Sequence, residues 1–156
     1  ENSALSGNEF TKKIDTYSKE NNSEVLLISA KIESEISQIT DFKDKQDFLE
    51  SMGLKETGLK RVIKKGYEIL NYINYFTAGE KELRAWTITK GTLAPSAAGT
   101  IHSDMEKGFI RAETISFNDY LSHKGEAGAK EKGKLRLEGK EYEVKDGDIM
   151  HFLFNV

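Results

Sequence analysis

Histidines and carboxylates are the residues of this sequence best suited to binding a metal or transferring protons. The three histidines, His102, His123 and His151, are isolated in the sequence, and none has neighbouring ligands at the spacing of a metal site. The carboxylates are scattered among lysines, which is typical of a solvated surface rather than of an acid–base pair. We therefore expect structural or solvent-facing histidines and no metal site.

Nucleotide hydrolysis would require a phosphate-binding loop, and this sequence contains none. The motif Gly-x-x-x-x-Gly-Lys-Ser/Thr surrounds a β-phosphate with backbone amides and supplies a lysine and a magnesium-binding hydroxyl. No segment of the 156 residues matches this motif. The chain alone is therefore not expected to hydrolyse a nucleotide.

Basic side chains concentrate in one stretch, where they could meet phosphates or face solvent. The stretch contains Lys124, Lys130, Lys132, Lys134, Arg136 and Lys140, interleaved with Glu126, Glu131, Glu138 and Glu141. Alternation of the two signs favours a solvated face over a phosphate-binding patch. Two further pairs, Arg84 with Trp86 and Arg111 with Glu113, lie two residues apart on predicted strands, and we interpret them as structural cross-strand pairs.

Composition excludes several classes of protein. With 37% hydrophobic and 31% charged residues, the chain has the balance of one globular domain or two small ones. Its formal net charge of -3 gives no general reason to expect nucleic acid as a partner. The lack of cysteine fits a reducing compartment, and no apolar run approaches the roughly 20 residues that cross a bilayer. We expect a cytoplasmic protein that does not enter a membrane.

The first half of the sequence has the periodicity of an α/β unit. Apolar residues at helical spacing predict a helix over residues 8–20, and the apolar run at residues 24–28 predicts a strand buried on both faces. Ser29, Ala30 and Lys31 follow that strand, and helical spacing resumes at Ile32. The tripeptide is therefore predicted to lie in a strand-to-helix turn, and two further short helices are predicted over residues 41–70.

The second half has the pattern of a small mixed sheet crossed by one helix. Residues 72–76 and 83–89 predict a β-hairpin, and Pro95 precedes a small-residue segment that predicts a helix lying close to a sheet. Strands are also predicted at residues 109–117, 134–137, 142–144 and 149–154, with a loop containing short helical turns at residues 118–134. This order favours a β-grasp fold, with a boundary between the two halves near residues 70–74.

Several segments of the sequence resemble the YchF-type (Obg-like) P-loop ATPases. Those resembling the TGS domain of that family are Tyr75–Gly79, Glu82–Thr87, Ala94–Asp104, Lys107–Glu113 and Asp146–Phe152. Those resembling the region before it are Ile28–Lys31, Phe48–Glu50 and Gly66–Leu70. The resemblance therefore covers essentially the whole chain.

The resemblance implies an α+β chain with two parts. Residues 1–70 would be the helix- and strand-rich end of an α/β P-loop nucleotide-binding domain, and residues 71–156 a C-terminal TGS domain with the β-grasp, ubiquitin-like fold. By the same resemblance, Ser29, Ala30 and Lys31 occupy the last nucleotide-site motif, whose backbone amides approach the base. A plain strand-to-helix turn is the alternative. Glu1 would be the final residue of the family's base-reading Asn-x-x-Glu motif, and a first residue other than Met indicates a truncated or processed chain.

The function that the resemblance implies belongs to the intact protein. Such a protein binds and hydrolyses ATP, and also GTP, with Mg²⁺, and it associates with ribosomes through contacts that include the TGS domain. This chain would bind no nucleotide tightly by itself, and residues 1–70, without the rest of their domain, would rearrange or dimerise. Two alternatives remain: a free-standing β-grasp module that binds protein or RNA without nucleotide chemistry, and a small-molecule sensor of similar fold.

Overall fold

A computed structural model describes residues 7–79 and 82–155 of the chain. The chain divides into two compact units, Glu1–Gly66 and Tyr67–Val156, which we call the amino-terminal and carboxyl-terminal units. The division at residues 70 and 71 that the sequence suggests stays a prediction.

The amino-terminal unit is helical. Its helices are α1 (Glu9–Glu20), α2 (Ala30–Gln38), α3 (Phe42–Ser51) and α4 (Gly58–Ile69), the last of which continues beyond the unit. Polar caps fix two of the helix starts: the Asn8 side chain accepts hydrogen bonds from two first-turn amides of α1, and the Asp41 side chain does the same for α3. The helices that the sequence predicts in this half are therefore confirmed.

Residues 24–28 do not form the strand that the sequence predicts. The segment has no β-ladder partner; Val25, Leu26 and Leu27 are half-buried, and Ile28 is 46% exposed. A strand requires a neighbour for its backbone N–H and C=O groups, and the described part of this unit contains no other strand. Hydropathy correctly marked an apolar segment, but the prediction of a strand buried on both faces was wrong.

The core of the amino-terminal unit is small. Among the described residues it consists of Ile32 and Ile36 of α2 and Leu49 of α3, with Phe48, Met52 and Leu54 packed against them. Apolar side chains at helical spacing on α1 and α4 face solvent instead of this core, and each of the following is at least 42% exposed: Phe10, Ile14, Tyr17, Leu59, Val62 and Ile63. Helical periodicity therefore predicts the helices here but not which of their faces are covered.

The carboxyl-terminal unit is built on a five-stranded sheet. Its strands are β1 (Tyr72–Ala78), β2 (Leu83–Thr89), β3 (Phe109–Ser116), β4 (Arg136–Glu138) and β5 (Asp148–Phe154). They lie in the order β2-β1-β5-β3-β4, in which β1 and β5 are parallel and the other neighbours antiparallel. This mixed sheet, with one helix packed across it, is the β-grasp fold that the sequence predicts.

Small residues bring helix α5 (Ala94–Ile101) close to the sheet. Ala94, Ala97 and Ala98 are fully buried in the same cluster as Tyr75 and Phe152. Because alanine presents only a Cβ, the helix backbone comes within reach of a side chain on β1: the Tyr75 hydroxyl donates a hydrogen bond to the Ala97 carbonyl oxygen, 2.8 Å away. The predicted close approach of helix and sheet is confirmed.

The connections between the strands contain short helices, and one segment differs from its predicted structure. Helix α6 (Ser103–Lys107) follows α5, and α7 (Phe117–Ser122) and α8 (Glu126–Glu131) lie in the segment predicted as a loop with helical turns. Residues 142–144, predicted as a short strand, contribute only an isolated bridge between Leu93 and Glu143. Side-chain hydrogen bonds of Tyr142 anchor this segment, and such bonds leave no periodic signal in the sequence.

The buried Tyr75 hydroxyl makes the carboxyl-terminal unit sensitive to alkaline pH. Burial raises the pKa of Tyr75 from 10.0 to about 12. Because the folded-state pKa lies above the unfolded one, the neutral hydroxyl stabilises the fold fully below pH 10, and this stabilisation is lost as the pH rises towards 12. We expect the free energy of unfolding to fall over that interval, by about 1.4 kcal/mol per unit of pKa difference.

Denaturant unfolding over a pH series, with Tyr75→Phe as the variant, measures this contribution. The variant should be about 1 kcal/mol less stable at neutral pH, since it lacks the buried hydrogen bond, but should lose less stability above pH 10. Burial also raises the pKa of Tyr142 to about 12, so Tyr142→Phe removes a second contribution to the loss of stability above pH 10. An alkaline loss as steep in Tyr75→Phe as in the unmodified chain would contradict the assignment.

Candidate functional site

The tripeptide Ser29–Ala30–Lys31 forms the start of helix α2. Ser29 is the N-cap, with its Oγ 3.4 Å from the donating amide nitrogen of Ile32, and Ala30 and Lys31 are the first two helical residues. Amides in the first turn of a helix have no carbonyl partner within the helix and carry its partial positive charge. The segment thus presents backbone donors at a helix start, an arrangement able to contact the acceptor atoms of a ligand.

Glu33, one turn further along α2, ties this helix to the start of α4. Its carboxylate oxygens accept hydrogen bonds from the amides of Gly58, at 2.6 Å, and Leu59, at 3.2 Å. A Cβ on Gly58 would come within 2.9 Å of the Glu33 carboxylate and of Ile28, so glycine leaves the space that this contact needs. Sequence reasoning missed Glu33, because nothing in the local pattern of α2 indicates partners 25 residues away.

A second tie holds the segment that precedes Ser29. The Arg61 guanidinium on α4 donates to the Leu27 carbonyl oxygen at 3.2 Å. Together with Glu33, it fixes both sides of the tripeptide to one helix. The position of the helix start therefore depends on α4.

Replacing Glu33 tests this arrangement. Glu33→Ala should destabilise the amino-terminal unit by about 1 kcal/mol, comparable to the loss of a helix cap. Hydrogen exchange at the Gly58 and Leu59 amides should then be faster, about fivefold if the opening that exposes them becomes 1 kcal/mol easier. Glu50→Ala, which removes a carboxylate from an exposed position on α3, is the matched control. Equal exchange rates in the two variants would show that the Glu33 carboxylate does not hold α4.

An open cavity of this unit lies away from the tripeptide. It has a volume of about 650 Å³ and is lined by Gly7, Thr11, Lys12, Asp15, Val25, Leu27, Gly53, Leu54, Lys55, Glu56 and Arg61. Ser29, Ala30 and Lys31 do not line it. Glu1, the other predicted nucleotide-site residue, lies outside the described residues. The structure therefore places the tripeptide at a helix start, and its contact with a nucleotide base stays a prediction.

Two of the histidines considered as metal ligands, His102 and His151, occupy peripheral positions. His102 is the N-cap of α6, where its Nδ1 accepts from the Asp104 amide at 3.2 Å, and the His151 side chain on β5 is exposed. Within residues 7–79 and 82–155, no three histidine or carboxylate side chains come together where they could hold a metal ion. None of the helices in that part of the chain is long and apolar enough to cross a membrane.

One residue of the basic stretch is part of a structural network. Arg136 donates to Glu138 at 2.9 Å and to the Tyr142 hydroxyl at 3.0 Å, and it lies 3.4 Å from the Asp148 carboxylate. Asp148 is 2% exposed and also accepts from the Tyr142 hydroxyl and the Lys145 amide. The lysines of the stretch are exposed, whereas Arg136 is half-buried in this network. The choice of a solvated face over a phosphate-binding patch stays a prediction.

Comparison with known proteins identifies the family. Residues 72–155 match the family model YchF-GTPase_C, described as a protein of unknown function (DUF933). The chain belongs to the YchF family. The match spans the five-stranded sheet and its helices, so the predicted TGS region is the part of the chain that carries it.

Two bacterial YchF proteins match nearly the whole chain. The Ribosome-binding ATPase YchF of Bacillus subtilis (strain 168) is 56% identical over 151 residues, which make up 97% of this chain and 41% of that protein. The Ribosome-binding ATPase YchF of Escherichia coli O157:H7 is 52% identical over 149 residues, or 96% of this chain and 41% of that protein. The chain thus spans about two fifths of the length of these relatives.

Two solved structures have the same fold. The Schizosaccharomyces pombe YchF GTPase superposes with a TM-score of 0.83 at 35% sequence identity, covering 96% of this chain and 40% of that one. A GTP binding protein from Pyrococcus horikoshii OT3 superposes with a TM-score of 0.65 at 18% identity, which shows likeness of fold alone.

Proposed function

We propose that this chain is part of a cytoplasmic, ribosome-associated YchF-type nucleotide hydrolase that binds and hydrolyses ATP, and also GTP, with Mg²⁺. The observation that carries the proposal is the 56% identity to a Ribosome-binding ATPase YchF across 97% of the chain. Identity at this level over nearly every residue makes a shared biochemical role the simplest inference. Residues 71–156 are proposed as the TGS domain that contacts ribosome or RNA, and residues 1–70 as part of the nucleotide-binding domain.

Within that function, the start of helix α2 is proposed to lie beside the nucleotide base. Ser29, Ala30 and Lys31 offer amides at a helix N-terminus, and donors of this kind fit the acceptor atoms of a purine ring. Glu1 is proposed as a second base contact. Ser29 keeps its hydroxyl on the Ile32 amide, so its contribution would come from the backbone rather than the side chain.

The proposed contacts of this chain are to the base and not to the phosphates or the metal. No phosphate-binding loop is present in the sequence, and the described residues contain no metal-binding cluster. Bound Mg²⁺ would neutralise charge on the phosphates during transfer, and residues outside these 156 would have to hold it. The role of this chain is then to orient the base, and by itself it should not turn over nucleotide.

Parallel measurements of ATP and GTP binding and turnover test the proposal. They compare this chain with a longer version that includes a phosphate-binding loop encoded upstream. We expect binding and hydrolysis by the longer protein only, with weaker binding after Lys31→Pro, which removes an amide donor at the helix start, than after Lys31→Ala, which keeps it. Turnover absent from both proteins would favour the alternative, a β-grasp binding module without nucleotide chemistry.

A further inference from the structure

The two edges of the five-stranded sheet differ sharply. One edge strand, β4, has only three residues, whereas the other, β2, has seven in unbroken register with β1. Edge strands in proteins are commonly shortened, bulged or interrupted by proline or charge, since their free backbone groups invite another strand. Strand β2 has no proline and one charged residue, Arg84, whose guanidinium carbon lies 4.2 Å from the centre of the Trp86 ring. The β2 edge lacks the usual protection.

The register shows which backbone groups of β2 point away from the sheet. Two hydrogen bonds just beyond the strand ends continue the pairing with β1: Gly79 amide to Glu82 carbonyl at 2.9 Å, and Lys90 amide to Asn71 carbonyl at 2.7 Å. Bonded and non-bonded pairs alternate along an antiparallel ladder. The residues that direct their N–H and C=O outward are therefore Leu83, Ala85, Thr87 and Thr89, and all four are exposed. The Thr89 carbonyl already accepts from the Thr92 amide at 3.1 Å, so the edge offered to another strand is residues 83–87.

Open grooves accompany this edge. One, of about 620 Å³, is lined by residues of β2 and α5 and their surroundings: Tyr72, Thr87, Ile88, Thr89, Thr92, Ser96 and Thr100. A second, of about 740 Å³, lies beside Trp86 and includes Ile101, Met105, Phe152 and Phe154. We call them the threonine groove and the tryptophan groove. Each offers room for side chains of a strand laid along β2.

We propose that the β2 edge binds an extended peptide segment of another protein, which adds to the sheet as a sixth strand. Its backbone would bond to Ala85 and Thr87, an apolar side chain would enter the tryptophan groove, and a small or hydroxyl-bearing side chain would enter the threonine groove. Among residues 82–90 the sequence has two cations, Arg84 and Lys90, and one carboxylate, Glu82, which lines the tryptophan groove together with Arg84. The excess of one positive charge therefore favours a segment that carries an acidic residue over one that carries a basic residue. This interaction goes beyond the nucleotide chemistry proposed above and does not depend on it.

Selection from a random-peptide display library, followed by hydrogen exchange, tests the proposal. Peptides selected on the whole chain should contain an apolar residue and at least one carboxylate. When bound, they should slow exchange at the Ala85 and Thr87 amides, which point outward, while the Trp86 amide, which bonds to β1, should be protected with or without peptide. Slower exchange at these two amides distinguishes strand addition from binding in a groove alone.

Variants at Ala85 supply the matched comparison. Ala85→Pro removes an outward donor without removing a bond to β1, and should weaken peptide binding about tenfold or more, while Ala85→Val keeps the donor and should bind like the unmodified chain. If Ala85→Pro fails to fold, Ala85→Lys places a charge on the same edge and should weaken binding as well. Selected peptides that leave the Ala85 and Thr87 amides unprotected, or no enrichment at all, would overturn the proposal. The proposal would also be overturned if an oligouridylate at equal concentration, or self-association of the chain, protected these amides and the peptide did not.

Discussion

Tyr75→Ala is expected to cost the carboxyl-terminal unit about 4 kcal/mol of folding free energy, the range found when a buried aromatic side chain is truncated. Tyr75 is fully buried on the central part of the sheet, and its ring meets that of Phe152 edge-on with centroids 5.8 Å apart. Its hydroxyl reaches the Ala97 carbonyl and lies 3.0 Å from the Thr100 hydroxyl. Truncation removes the ring contact with β5 and the hydrogen bond to α5 together.

Chemical denaturation monitored by the fluorescence of Trp86 measures this loss. Trp86 is the only tryptophan of the sequence and lies in the same unit, so its signal reports on the sheet. Tyr72→Ala is the matched control, because Tyr72 is on the same strand but 40% exposed, and it should cost much less. Similar losses in the two variants would show that Tyr75 is not the centre of the core.

The fold of the carboxyl-terminal unit was largely predictable, because its signals are local. The hairpin of β1 and β2 follows from two aromatic and β-branched runs separated by a turn, and α5 follows from Pro95 and the small residues after it. Each of these features acts within about a dozen residues, as periodicity and turn chemistry do. The order of the strands in the sheet, by contrast, depends on pairing between distant segments and was not predicted from the sequence.

The amino-terminal unit shows where local signals fail. The run at residues 24–28 has the composition of a buried strand, yet strand structure depends on a neighbour that hydropathy cannot supply. The same holds for the exposed stripes of α1 and α4, whose periodicity says that a face is apolar but not what covers it. Self-association of this unit stays a prediction. Sedimentation of the chain over a range of concentrations tests it, and a monomer at every concentration would contradict it.

The candidate site was predictable only through resemblance. No composition or spacing rule marks Ser29, Ala30 and Lys31 as a base contact; the residues alone indicate a helix start, which the structure contains. Glu33 and Arg61, which hold that helix start in place, are visible only in three dimensions, because their partners lie 25 and 34 residues away. Long-range hydrogen bonds of this kind leave no mark in a single sequence.

The hydrogen-bonded network around Asp148 is expected to contribute strongly to the stability of the carboxyl-terminal unit. Asp148→Ala should destabilise the carboxyl-terminal unit by about 3 kcal/mol, because Asp148 is buried and its loss leaves the Tyr142 hydroxyl and the Lys145 amide without their acceptor. The change removes the acceptor for the Tyr142 hydroxyl at 2.7 Å and for the Lys145 amide at 2.9 Å, and it removes the carboxylate beside Arg136. Arg136 keeps its bond to Glu138, so the guanidinium is not left wholly unpaired, which limits the loss.

Two further variants separate the charge from the hydrogen bonds. Asp148→Asn keeps a carbonyl acceptor but loses the negative charge, and should cost about half as much, since hydrogen bonds to charged groups are roughly twice as strong as neutral ones. Glu141→Ala removes an exposed carboxylate next to Tyr142 and should change stability by less than about 0.5 kcal/mol. Thermal and denaturant unfolding of the three variants give the comparison. If Asp148→Ala is no less stable than Glu141→Ala, the network does not hold residues 136–148 on the sheet, and the isolated bridge of Glu143 with Leu93 must do so instead.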